Sequence, residues 1–232
     1  MTEVLYTMRN GKIVDPNITT DGLACYLDTR GKTNTDKYKG TLLDLSGNGN
    51  HGSLHNFNFT EESGYIKDLS GGGLKFDGVD DKLTVDRDFM FTQKPFTYFI
   101  DFEISKSAVE QGAGIHLGLG FTLHENNSKI YNYSTSNPDA TTLGDVIVTA
   151  GRHIFVCSIG EDFTKAKYFL DGNSVPILNK VLSDGTPVSF IDRKGPMSIS
   201  RDGPRDGVKE INRLMVWDRQ LTDEEIQQLM EV

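Results

Sequence analysis

Nine residues, FTYFIDFEI from Phe96 to Ile104, constrain this chain more than any other segment. In an extended strand, successive side chains point to opposite faces. Phe96, Tyr98, Ile100, Phe102 and Ile104 therefore share one face, and Thr97, Phe99, Asp101 and Glu103 share the other. The first face requires a core. The second, which carries two carboxylates, is expected to be a solvated outer face.

The same period recurs at short intervals. His153, Phe155, Cys157 and Ile159 alternate with Ile154, Val156 and Ser158, and residues 23–27 read as a strand closed by Asp28. Lys167–Leu170 leads into Asp171-Gly172-Asn173, a hairpin-like turn. Residues 74–76 and 83–85 flank Asp77-Gly78-Val79-Asp80-Asp81, where the Asp-Gly pair predicts a second tight hairpin. Residues 112–123 and 145–149 are weaker strands, and residues 125–142, rich in Asn, Ser and Thr, read as a long loop or irregular hairpin. Many short strands with turns between them predict an all-β, two-sheet antiparallel sandwich rather than a parallel α/β sheet. Apolar residues make up only 37% of the 232, but 13 Phe, 8 Tyr and 24 Gly suit aromatic strands joined by glycine turns.

One helix is expected, at the end. Thr222-Asp223-Glu224-Glu225 forms a capping box, Leu221 and Ile226 a hydrophobic staple, and Ile226, Leu229 and Met230 a stripe that docks on the sandwich. Residues 22–232 read as one domain, preceded by an arm at 1–21 that could serve as an attachment segment.

The net charge of −9 repels phosphate backbones and anionic bilayers, so neither nucleic acid nor membrane is an expected partner. The first residues lack the basic and apolar regions of a secretory signal, and no run of eighteen apolar residues occurs. Cys25 and Cys157 lie in apolar strands and read as two buried thiols.

GLACYLD (22–28), DLSGNGNHG (44–52), LKFDGVDDKLTV (74–85), FTYFIDFEI (96–104), GRHIFVCSI (151–159), KYFLDGNSV (167–175) and INRLMVWDRQLTDEEIQQL (211–229) stand in a familiar order. Together they resemble the LamG-like jelly-roll family of the concanavalin A-like lectin/glucanase superfamily, over residues 22–230. The resemblance implies a jelly roll of two facing antiparallel sheets with a short C-terminal helix, in which the Asp-Gly turns and DLSGNGN are structural. The oxygens of Asp28, Asp44, Asn48, Asp80 and Asp81 are the candidates to hold a structural calcium ion. Arg152 stands where the family commonly has tryptophan, which leaves Trp217, a core residue of the last strand, as the only one. Sugar stacking must then use tyrosine or phenylalanine, with Tyr131 and Tyr133 as candidates.

YLDTRGKTNTDKYKGTLLDLSGNGNHGSL (26–54) is also similar to phage structural proteins that carry this jelly roll. Three functions follow as expectations. The first is a non-catalytic glycan-binding or adhesion module, a virion component engaged in receptor recognition or in a tail or decoration. The second is a purely structural assembly protein. The third is a glucanase-like glycoside hydrolase using Asp101 and Glu103, although no Glu-x-Asp-x-x-Glu run is present. The implied partners are a cell-surface or cell-wall glycan or other virion proteins, with oligomers open, at a virion or extracellular surface and otherwise in the cytoplasm. His51 and His55 lie in a turn without a third zinc ligand, and His153 reads as a core histidine bonded to a backbone carbonyl.

Overall fold

The computed structural model describes residues 7–9, 12–14, 18–67, 72–88, 95–104, 115–116, 121–124, 129–132, 148–161, 165–176, 196–200 and 208–231. They form two large antiparallel sheets and one short helix, the expected β-sandwich. The seven-stranded sheet runs β12 (Lys129–Asn132), β11 (Phe121–His124), β10 (Ile115–His116), β16 (Pro196–Ser200), β8 (Lys82–Asp88), β5 (Gly52–His55) and β4 (Thr41–Leu42). In the eight-stranded sheet the order is β15 (Asn173–Val175), β14 (Lys167–Leu170), β13 (Gly151–Ile159), β9 (Phe96–Ile104), β17 (Val208–Trp217), β7 (Gly73–Lys75) and β6 (Gly64–Ile66). Its eighth strand, β3 (Leu23–Asp28), also pairs with β17. A separate hairpin joins β1 (Thr7–Arg9) to β2 (Lys12–Val14).

β17 is the axis of the larger sheet. One edge bonds β9 along its length; the other bonds β7 at Glu210 and Ile211 and β3 from Arg213 to Trp217. A bulge between Ile211 and Arg213 makes room for this change of partner. Asn212 Nδ2 donates to the Gly72 carbonyl at 2.9 Å, and the Asn212 carbonyl accepts from Thr29 N at 3.0 Å.

The main core lies between the sheets. Leu42, Leu83, Val85, Met197 and Ile199 face Tyr98, Ile100, Phe102, Phe155, Cys157, Leu214 and Val216. The alternation read in β9 thus points its Phe96 face into the sandwich. Its other face is also buried, because helix α1 (Asp223–Met230) and the segment at Ile18 pack across the outside of the larger sheet. Leu23, Tyr26, Phe99, Val156, Met215 and Trp217 lie there beneath Ile226 and Leu229, and Trp217 Nε1 donates to the Thr19 carbonyl at 2.9 Å. Residues 18–21 of the anticipated arm are therefore tied to the sandwich.

The helix begins as its sequence requires. Thr222 Oγ1 accepts from Glu225 N at 3.2 Å, and Glu225 Oε2 accepts from Thr222 N at 2.9 Å. Arg219 donates to both Glu225 oxygens and holds that carboxyl down to about 2.

Two turns behave differently from one another. Asp171 and Gly172, at φ 51° and 77°, make the two-residue connection between β14 and β15, a hairpin as expected. The Asp77–Asp81 segment is not a hairpin. β7 belongs to the larger sheet and β8 to the smaller, so these residues carry the chain across the sandwich. An Asp-Gly bend specifies a local reversal, and only the long-range pairings decide whether the flanking strands meet.

The weaker expectations divide similarly. Residues 129–132 pair with β11, so the polar 125–142 stretch begins as a hairpin, and Val148 enters the core without being in a strand.

Candidate functional site

The Asp44–Asn50 turn is held together by one carboxylate. Asp44 Oδ1 accepts from Tyr26 N and Ser46 N, both at 2.9 Å; Oδ2 accepts from Ser46 Oγ at 2.8 Å and Asn50 N at 2.9 Å. Asn48 Nδ2 and Asn50 Nδ2 donate to the carbonyls of Leu23 and Ala24, at 2.8 and 2.6 Å, which staples the turn to β3. Gly47 and Gly49, at φ 83° and 78°, supply the left-handed residues this path needs. His51 Nδ1 accepts from Asp44 N at 2.9 Å, while His55 Nε2 meets Thr84 Oγ1 at 2.9 Å, so the two imidazoles serve different contacts.

Asp28 belongs to a charged row on the outer face of the larger sheet. Arg30 grips its carboxylate through Nε and Nη2, at 3.0 and 2.7 Å, and Tyr26 Oη donates to it at 3.1 Å. Arg213 stands opposite Asp28 across β3–β17 and opposite Asp101 across β17–β9. Asp101 Oδ2 accepts from Arg213 Nε and Nη2 at 3.2 and 3.1 Å, and Arg152 adds two bonds of 2.7 and 2.6 Å. The Asp101 and Arg213 side chains are 0% exposed, and the Arg213 guanidinium also covers the Phe99 ring at 5.2 Å.

The solvated outer face expected for Asp101 is thus overturned. Its carboxylate is fully buried and bonded to two guanidiniums, which leaves it no exposed oxygen to offer as acid, base or nucleophile. Period 2 located the face correctly. Nothing local revealed that arginines 51 and 112 residues away would neutralise it.

Among the described residues, one group of three metal-ligating side chains has ligand atoms within 4.8 Å of one another: Asp77, Asp80 and Asp81. Asp80 and Asp81 were expected as calcium oxygens; Asp28, Asp44 and Asn48 lie elsewhere, engaged as described. Asp81 accepts from Asp77 N at 2.8 Å and Ser63 Oγ at 3.1 Å, and Val79 N donates to Asp77 Oδ1 at 2.8 Å. Burial raises the Asp81 carboxyl above its ordinary range, with the neighbouring Asp77 and Asp80 charges adding to the effect. Hard carboxylate oxygens at this spacing suit calcium, but bonds within the crossover already account for Asp81.

His153 is the core histidine that was anticipated. Its Nε2 meets the Thr149 carbonyl at 2.8 Å, and its Nδ1 meets Asp171 Oδ2 at 2.7 Å. Burial opposes the charged imidazole, yet the Asp171 carboxylate and the Thr149 carbonyl leave its pKa raised overall.

Tyr133 lies outside the described residues, and of Tyr131 only the strand position, opposite Thr122 in β11, is described. Among the described residues, the exposed aromatic is Tyr38, 71% exposed, in the loop joining β3 to β4. Its sequence signal is Asp36-Lys37-Tyr38-Lys39, an aromatic between two lysines in a Gly- and Thr-rich stretch. The Lys37 Nζ lies 5.0 Å from the Tyr38 ring centroid. Among the described residues, no helix is long and apolar enough to cross a membrane.

The sequence matches no known family profile and no curated protein. Solved structures do resemble the fold. A Trypanosoma rangeli sialidase in complex with the inhibitor DANA aligns with 95% of this chain at a TM-score of 0.61 and 16% identity, over 35% of the sialidase chain. The receptor binding domain of botulinum neurotoxin D aligns with 91% of this chain at 0.59 and 12% identity, and the binding domain of Paraclostridial Mosquitocidal Protein 1 with 91% at 0.56 and 12%. This chain spans about a third of the sialidase and about half of each toxin domain. At such identities the likeness establishes a shared architecture, the two-sheet β-sandwich.

Proposed function

We propose that this protein is a non-catalytic β-sandwich module that binds a glycan. The burial of Asp101 between Arg152 and Arg213 is the observation that carries the non-catalytic part of this reading, because it commits one member of the candidate acid pair to a structural ion cluster. The fold is one that sialidases and toxin binding domains also use, which supports the ligand class by analogy. The likeness of residues 26–54 to phage structural proteins supports the finer reading of a virion-borne receptor-recognition or tail module.

A glycan array on the purified protein tests this reading, run once with calcium and once with chelator. Retained saccharide signals support the module. Signals lost in chelator would support a structural calcium, with Asp77, Asp80 and Asp81 as the ligands to mutate, and silence in both arms would transfer the case to an assembly role with protein partners.

A further inference from the structure

The loop between β3 and β4 carries a local surplus of positive charge on a hydrogen-bonded backbone. From Thr29 to Thr41, with Arg30 committed to Asp28, it carries Lys32, Lys37 and Lys39 against one carboxylate, Asp36, in a chain whose net charge is −9. A local positive surplus on an acidic protein attracts anionic ligands to that place.

The loop is also built as a fixed platform. Asp36 accepts from Thr33 N at 3.0 Å and from Thr33 Oγ1 at 2.6 Å, and Tyr38 O accepts from Thr41 N at 2.9 Å. Asn34 clamps the loop to β6: its Oδ1 accepts from Tyr65 N at 2.7 Å, and its Nδ2 donates to the Tyr65 and Thr60 carbonyls at 3.0 and 3.1 Å. From the buried side, Tyr65 Oη donates to the Lys39 carbonyl at 2.8 Å, and Lys39 Nζ rests over the Phe59 ring at 4.7 Å. A loop so held loses little conformational entropy when a ligand arrives. On it, the Lys37 ammonium lies over the large exposed ring of Tyr38, 5.0 Å from its centroid, so an aromatic ring and a cation are offered together.

We infer that this loop is the binding site for an acidic saccharide, with the apolar face of a sugar ring laid on Tyr38 and the sugar carboxylate held by Lys37. The inference rests on the glycan-binding reading above and assigns it a place and a ligand charge. Stacking supplies the aromatic contact, and the ammonium supplies the preference for acidic over neutral sugars. Sialic acids and uronic acids both present this chemistry.

The test measures binding of 3′-sialyllactose, a glucuronic-acid oligosaccharide and neutral lactose to the intact chain by calorimetry or saturation-transfer NMR. The wild-type protein is expected to bind one or both acidic ligands, more weakly as salt rises, and to bind lactose about tenfold less well or not at all. Tyr38→Ala should weaken the acidic ligand about tenfold, the scale of one lost aromatic contact, whereas Tyr38→Phe should retain it. Lys37→Glu should abolish the acid preference while leaving the melting temperature unchanged, since Lys37 is exposed. Acidic-sugar binding that survives both Tyr38→Ala and Lys37→Glu, or a preference for neutral sugars, overturns this assignment and leaves the glycan-binding reading standing. No saccharide binding of any kind overturns both.

Discussion

Replacing Asp101 with asparagine tests the reasoning about the outer face most directly. The change is nearly isosteric, so packing is preserved and charge is what is lost. Arg213, fully buried, would then face a neutral amide, and Arg152 would lose its carboxylate partner. Breaking a buried ion pair from one side costs about 3–5 kcal/mol, because the remaining charge stays desolvated. For a domain of this length each kcal/mol lowers the melting temperature by about 2–4 °C, so a fall of roughly 6–20 °C is expected. Urea unfolding followed by Trp217 fluorescence reads the free energy, and calorimetry the temperature. The double variant Asp101→Leu/Arg213→Met, which removes both charges, should recover much of the loss. An Asp101→Asn protein as stable as wild type would refute the ion cluster as we describe it, and polysaccharide cleavage lost in that stable variant would restore the hydrolase reading.

Three other outcomes follow. Asp44→Ala strands the amides of Tyr26, Ser46 and Asn50 and should cost roughly 3 kcal/mol in the same urea assay; a loss under 1 kcal/mol would mean the turn is held by other means. Because the folded pKa of His153 is raised above its ordinary 6.5, its stabilising contribution is complete below 6.5 and is lost as pH rises through the folded value. Melting temperature should therefore fall as pH rises above 6.5, and His153→Gln should flatten that slope. Cys25 and Cys157 lie in one row on the core face, through Val216 and Tyr98, three strand spacings or about 14 Å apart, so no disulfide can join them. Both thiols are buried, and burial pushes the Cys157 thiol well up, so neither should react with a thiol reagent until the protein unfolds.

Some of the site was legible before any coordinates. The DLSGNGN turn reads as structural because Asp and Asn side chains capture backbone amides, and Asp44 accepts from three amides and one hydroxyl. His153 was legible as a core histidine from its parity in β13. Tyr38 was not singled out, since exposure of one tyrosine among eight depends on what covers the others.

Periodicity, turn chemistry and the capping box are local, and from them the sequence alone determined the sandwich class, the inward face of β9, the Asp171–Gly172 hairpin and the terminal helix. Pairing across the sheet is non-local, and the tertiary structure alone decided the rest. It set β7 and β8 in different sheets and laid α1 over the outer face of β9. It also brought Asp28, Arg213 and Asp101 into one charged row, with Arg152 beside it. The physical reason is that period 2 assigns each side chain to a face but carries no information about which distant strand, and so which opposite charge, will lie beside it.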